Sequence, residues 1–111
     1  MTSEAKARFV DSNELSKLLR KNTLVVAHYT ASWCSPCRIV TPLIDKLAVE
    51  YGEGVEIVKI DVDENANVAK KYNIRSIPAV LVFRDRKVVE SFFGTKPYET
   101  YSNVLETQLK L

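Results

Sequence analysis

The spacing of apolar residues changes along this chain in a regular order. Residues Leu24–Thr30 form a nearly continuous apolar run, as expected of a strand covered on both faces. From Cys34 onward, Ile39, Val40, Leu43, Ile44, Leu47 and Ala48 recur at helical spacing. Pro42 falls inside that helix and is expected to kink it, and Gly52 and Gly54 close it. Residues 55–62 read as a second buried strand, and Asp63-Glu64-Asn65 opens a shorter helix over 66–72. Residues 79–83 and 88–93 read as two strands joined by Arg84-Asp85-Arg86-Lys87, a hairpin. Pro97 suits the first turn of a final helix with Tyr101, Val104, Leu105 and Leu109 on its apolar face, leaving Tyr98 on the surface. Toward the start, residues 7–10 predict a short edge strand. Asp11 with Glu14 three positions later is a capping pattern, opening a helix striped by Leu15, Leu18 and Leu19 that ends near Lys21-Asn22.

The predicted order is βαβαβαββα. Strands alternating with helices imply parallel pairing, and the closing hairpin adds antiparallel strands. The expectation is an α/β fold, a mixed central sheet with helices on both faces, forming one domain over 1–111. Functional groups of such sheets gather at the carboxyl ends of the strands.

Composition narrows the function classes. A net charge of +2, with basic residues scattered, does not suit nucleic-acid binding. The densest basic stretch, Lys17 to Lys21, reads as the solvated end of a helix, where cations suit the dipole. No apolar run approaches the ~18 residues of a membrane span, and the first residues carry no apolar leader segment, so the chain as written reads as cytoplasmic.

The two cysteines, Cys34 and Cys37, stand within Trp33-Cys34-Ser35-Pro36-Cys37-Arg38, directly after the first apolar run. A disulfide across so short a loop is worth only about 2 kcal/mol in chain entropy, against nearly 5 for a loop of ~100 residues. Stapling the fold is therefore a poor reason for this placement. At a helix N-terminus the first thiol meets unpaired N–H groups and the positive end of the dipole, which favour the nucleophilic thiolate. Cys34 is expected to be the more exposed and the lower in pKa. Zinc needs further ligands, and His28 is the only histidine, so no metal is expected. The arrangement points to thiol–disulfide exchange.

With these residues in view, the chain resembles the thioredoxin family over nearly its whole length. The resemblance rests on Ala31 to Arg38, Pro42, Lys59 to Asp63, Tyr72 to Pro78, and Phe93-Gly94. It implies a thioredoxin fold and a protein-disulfide reductase in which Cys34 attacks and Cys37 resolves. Ile77-Pro78 would be a cis peptide facing the cysteines, freeing neighbouring backbone to pair with an extended substrate. Trp33, Ser35, Pro36, Ile77, Pro78, Phe93 and Gly94 would form the substrate surface. No bound cofactor is implied, since the cysteines carry the electrons. An external thioredoxin reductase, linked to NADPH or ferredoxin, would recharge a monomer that acts on disulfide-containing proteins.

The sequence departs from the family pattern at four places. His28 stands where a buried Asp is usual, Ser35 where Gly is usual between the cysteines, Thr30 where an aromatic is often found, and Asp85-Arg86 where the hairpin turn is usually of Asp–Gly type. Two readings stand for His28: a buried histidine satisfied by a backbone or water partner, or a group that tunes or deprotonates Cys37. Lys59 is either a solvated strand-end lysine or a neighbour of that site. Two rival functions also stand, an atypical oxidant or isomerase with raised potential and a non-catalytic subunit of the same fold. Both cysteines are intact, which argues against the latter.

Overall fold

The computed structural model describes residues 7–111. Residues 1–6, on which the expectation about a leader segment falls, lie outside the described residues. The elements run β1 (Arg8–Phe9), α1 (Ser12–Lys21), β2 (Leu24–Thr30), α2 (Cys37–Tyr51), β3 (Glu56–Asp61), α3 (Ala66–Lys71), β4 (Ala79–Arg84), β5 (Lys87–Phe93) and α4 (Tyr98–Leu109). This is the predicted order. The sheet has strand order β1-β3-β2-β4-β5, with β1, β3 and β2 parallel and β4 antiparallel to both β2 and β5.

Every residue of β2 is buried, because β2 lies in the middle of the sheet with helices above and below. Alternate residues serve opposite cores. Leu24 and Val26 join Val40, Ile44 and Leu47 of α2 and Tyr101 and Leu105 of α4. Val25, Ala27 and Tyr29 join Leu15 and Leu19 of α1 and Val68 of α3. His28 shares the parity of Val26 and so faces α2. That single assignment fixes the chemistry described below.

The helix termini follow local rules. Asp11 caps α1 by accepting a hydrogen bond from the Glu14 N–H at 2.8 Å, as the spacing predicts. In one place the structure corrects the expectation: α2 starts at Cys37, three residues after Cys34. Ser35 precedes a proline and is disfavoured in the α region, and Pro36 has no N–H to extend the ladder backward. Residues 34–36 form a turn instead, tied by Cys34 N–H to Ala31 O at 3.1 Å and Arg38 N–H to Ser35 O at 3.0 Å.

The β4–β5 hairpin turn keeps the geometry that Asp–Gly would provide. Asp85 has φ 52° and Arg86 has φ 72°, the pair of positive values a type I′ turn requires. Asp tolerates the left-handed region, whereas Arg there costs roughly 1 kcal/mol. Arg86→Gly should therefore raise stability by about 0.5–1 kcal/mol, less whatever glycine loses in the unfolded chain. Urea unfolding measures this as a higher midpoint at unchanged slope. An unchanged or lower midpoint would show that the turn imposes no strain on Arg86.

Candidate active site

The carboxyl end of β2 delivers the chain to the two cysteines. Cys34 and Cys37 are joined by a disulfide, with Cα atoms 5.3 Å apart. The Cys37 N–H, at the open end of α2, donates to the Cys34 sulfur across 3.2 Å. Once the disulfide is reduced, this donor and the helix dipole both favour negative charge on Cys34. Cys34 is the more exposed residue of the pair, at 3% against 1% for Cys37. Ala31, Val62 and Ile77 pack around the pair and cover Cys34.

The structure brings most of the sequence-predicted surface together. Trp33 stands 65% exposed beside the cysteines, and Ser35 and Pro36 are exposed on the turn. The Ile77-Pro78 peptide is cis, and Ile77 packs against the disulfide. Gly94 donates its N–H to Pro78 O at 2.9 Å, which fixes the end of β5, with Phe93 exposed, next to that loop. Trp33, Val62, Ala69, Ile74, Arg75 and Ile77 line a shallow cavity of about 360 Å³. Sequence reasoning missed how Trp33 is held: its indole N–H donates to Asp63 at 2.7 Å. Nothing in the linear spacing pairs Trp33 with Asp63, thirty residues on. Ile74 and Arg75 belong to the residues that carry the family resemblance, but no pattern along the chain marks them as lining this cavity.

A second group lies under α2. His28 is fully buried, and among the described residues neither ring nitrogen has a hydrogen-bond partner. Burial lowers its pKa to about 4. The Lys59 ammonium pushes in the same direction, and the Asp45 carboxylate opposes both. The ring is thus neutral at physiological pH, with an acceptor nitrogen available. Among the described residues no backbone group partners the ring. Lys59 is no solvated strand-end residue. It is buried, lies in register with His28 on the adjacent strand, and reaches Asp45 Oδ1 at 3.4 Å. The Phe9 ring lies 5.0 Å from the same ammonium. Apolar spacing alone does not single out Asp45; asking what neutralises a buried lysine points to acids on the facing side of α2.

Among the described residues, no group of three or more His, Cys, Asp or Glu is placed to hold a metal, and no helix is long and apolar enough to cross a membrane. The redox capacity of the site lies in its two sulfurs. A sheet with a parallel core, ending at a Cys-x-x-Cys turn whose first sulfur receives a helix amide, defines a dithiol–disulfide exchange protein. Comparison with known proteins agrees. The thioredoxin family model matches residues 6–107. The chain is 37% identical to "Thioredoxin 1" of Synechococcus elongatus over 93% of this chain and 96% of that protein. It is 43% identical to "Thioredoxin" of Bacillus subtilis over 78% and 83%. The solved structure of a mutant thioredoxin from Halobacterium salinarum superposes with a TM-score of 0.86 at 30% identity, covering 96% of this chain and 94% of that one. The chain belongs to the thioredoxin family and is a thiol–disulfide oxidoreductase. In general, members of this family act on protein disulfides and are recharged by a thioredoxin reductase.

The burial of His28 has a consequence for stability. In the unfolded chain it titrates near 6.5, but in the fold only near 4. Across that window the unfolded state holds more protons, so stability falls as pH drops below 6.5 and the loss is complete below 4. By pH 4.5 this residue alone should cost about 2–3 kcal/mol relative to pH 7.5. Denaturant unfolding at the two pH values measures it, as the excess acid loss of the native chain over His28→Leu. Equal acid losses in the two proteins would show that His28 is solvated enough to protonate in place.

Proposed function

We propose that the protein reduces disulfides in other proteins, with Cys34 as attacking thiolate and Cys37 as resolving thiol. The amide directed at the Cys34 sulfur carries this reading, because it lowers the cost of charge on one sulfur of the pair. Cys34 attacks a substrate disulfide and expels one substrate thiolate. Cys37 then attacks Cys34 in the mixed disulfide, expels the second substrate thiolate and closes the disulfide. Cys37 starts as a buried thiol and must lose its proton. The neutral ring of His28, on the α2 face of β2, serves as acceptor, and Lys59 tunes it. Trp33, Ser35, Pro36, Ile77, Pro78, Phe93 and Gly94 form the docking surface. Two electrons return from an external thioredoxin reductase, drawing on NADPH or ferredoxin. We further propose a single-domain monomer that works in the cytoplasm as an electron-transport protein and engages neither nucleic acid nor membrane.

A second reading, an oxidant or isomerase with raised potential, has one observation in its favour: a neutral His28 stands where the family usually has an acid. Removing that negative charge relieves repulsion on the thiolate and favours the reduced state. Equilibration in glutathione buffers separates the two readings.

The assignment of roles is tested by trapping. Cys37→Ser should attack a disulfide-bonded protein such as insulin and stall as a covalent adduct at Cys34. Cys34→Ser should form no adduct, and both variants should lose turnover. Mass spectrometry after incubation identifies the adduct. Adducts that accumulate on Cys34→Ser and not on Cys37→Ser would reverse the two roles.

A further inference from the structure

The carboxylate missing from β2 has a counterpart on the helix that packs over it. Asp45 lies two turns along α2 from Cys37, on the side that covers β2 and β3. Its Oδ1 accepts from the Ala7 N–H at 3.1 Å and from Lys59 Nζ at 3.4 Å. These two donors hold the carboxylate beside Lys59, which lies in register with His28 on the adjacent strand. The Asp45 side chain is only 22% exposed and that of Lys59 10%, so neither charge is well screened by water. The other neighbours carry no charge near the ring. β4 presents apolar Val80 in register with His28, α4 contributes the phenol of Tyr101 to the same core, and β1 places the Phe9 ring over Lys59. Among the described residues, Lys59 and Asp45 are thus the two charges that act on His28.

We propose that Asp45 is a positioning residue for the resolving step, acting through His28: its charge offsets that of Lys59, so that the imidazole is basic enough to receive the Cys37 proton. The inference rests on the reading of His28 as proton acceptor. As Cys37 attacks, the proton passes to His28 and the ring gains a positive charge. The new sulfur–sulfur bond forms to Cys34, and the substrate sulfur leaves as thiolate with the bond's electron pair. The imidazolium then returns its proton to solvent. Lys59 alone would oppose that charge at short range. Lys59 with Asp45 presents almost no net charge.

The chemistry has a distinctive pH signature. A base that is neutral above about pH 5 gives a resolving rate that does not change between about pH 5 and 8. Without that base the rate follows thiolate formation and rises about tenfold per pH unit. The experiment follows the fully reduced, full-length protein with 5,5′-dithiobis(2-nitrobenzoate) in a stopped-flow instrument, reading the second phase of arylthiolate release. The native chain should show the plateau. His28→Leu should lose it, with His28→Gln used if the leucine variant fails to fold. Asp45→Asn keeps the acceptor oxygen for Ala7 and Lys59 and removes only the charge. It should keep a plateau but lower it by on the order of fivefold, and Asp45→Glu should restore it. In the His28→Leu background, Asp45→Asn should change nothing. Equal slowing by Asp45→Asn in both backgrounds would overturn the inference, since the residue would then act on structure and not through His28. So would an unchanged or higher plateau in Asp45→Asn alone. A plateau that survives His28→Leu would instead refute His28 as acceptor, and the role of Asp45 would fall with it.

Discussion

The amide of Cys37 donates to the sulfur of Cys34 across 3.2 Å. Because that amide belongs to the first residue of α2, it has no partner within the helix and is free to serve the sulfur. The contact requires the chain to leave β2, pass through the six residues 31–36 and enter the helix without extending it backward. Ser35-Pro36 ensures this, since a residue before proline avoids the α region and proline lacks the N–H that a longer helix would need. The turn can be short because β2 is anchored on both sides, with β3 parallel and β4 antiparallel to it. The reactive pair is thus rigidly placed by the most buried strand of the fold.

The same burial decides the electrostatics beneath the cysteines. Three effects act on His28, and loss of hydration is the largest; Lys59 adds to it and Asp45 opposes it. The outcome is a neutral ring in a largely apolar core. Lys59 is buried as well. Its ammonium is buried and offset by one carboxylate and one aromatic face. Two polar groups buried in register, one of them with a strongly lowered pKa, fit a working role better than a packing one.

Much of this was legible in the chain. The nearly continuous apolar run of β2 predicted a strand covered on both faces, and the helical spacing of Ile39, Val40, Leu43, Ile44, Leu47 and Ala48 predicted the side of α2 that packs on it, except that Ile39 is exposed. The Cys-x-Pro-Cys turn was legible because its residue types have few alternative uses at that spacing. The start of α2 was misplaced because apolar periodicity does not register the local effect of proline on its predecessor. Val62 was not legible as a neighbour of the cysteines because it comes from a distant segment. The tether from Trp33 to Asp63 and the pair formed by Lys59 and Asp45 were invisible for a related reason: each joins side chains whose proximity depends on strand order, and spacing along one element carries no record of its neighbour. The turn at Asp85-Arg86 was ambiguous by composition, since Arg rarely occupies the left-handed region, yet the hairpin holds both residues there.

The central claim is that the first amide of α2 makes Cys34, and not Cys37, the nucleophile. It is tested most directly by the pH dependence of alkylation. The reduced protein is pulsed with iodoacetamide from about pH 4 to 10, and each cysteine is quantified by peptide mapping. Cys34 should be modified first, with a midpoint below the ~8.5 of an ordinary thiol, while Cys37 should react slowly and only at higher pH. A Cys34 midpoint at or above ~8.5, or earlier modification of Cys37, would contradict the account.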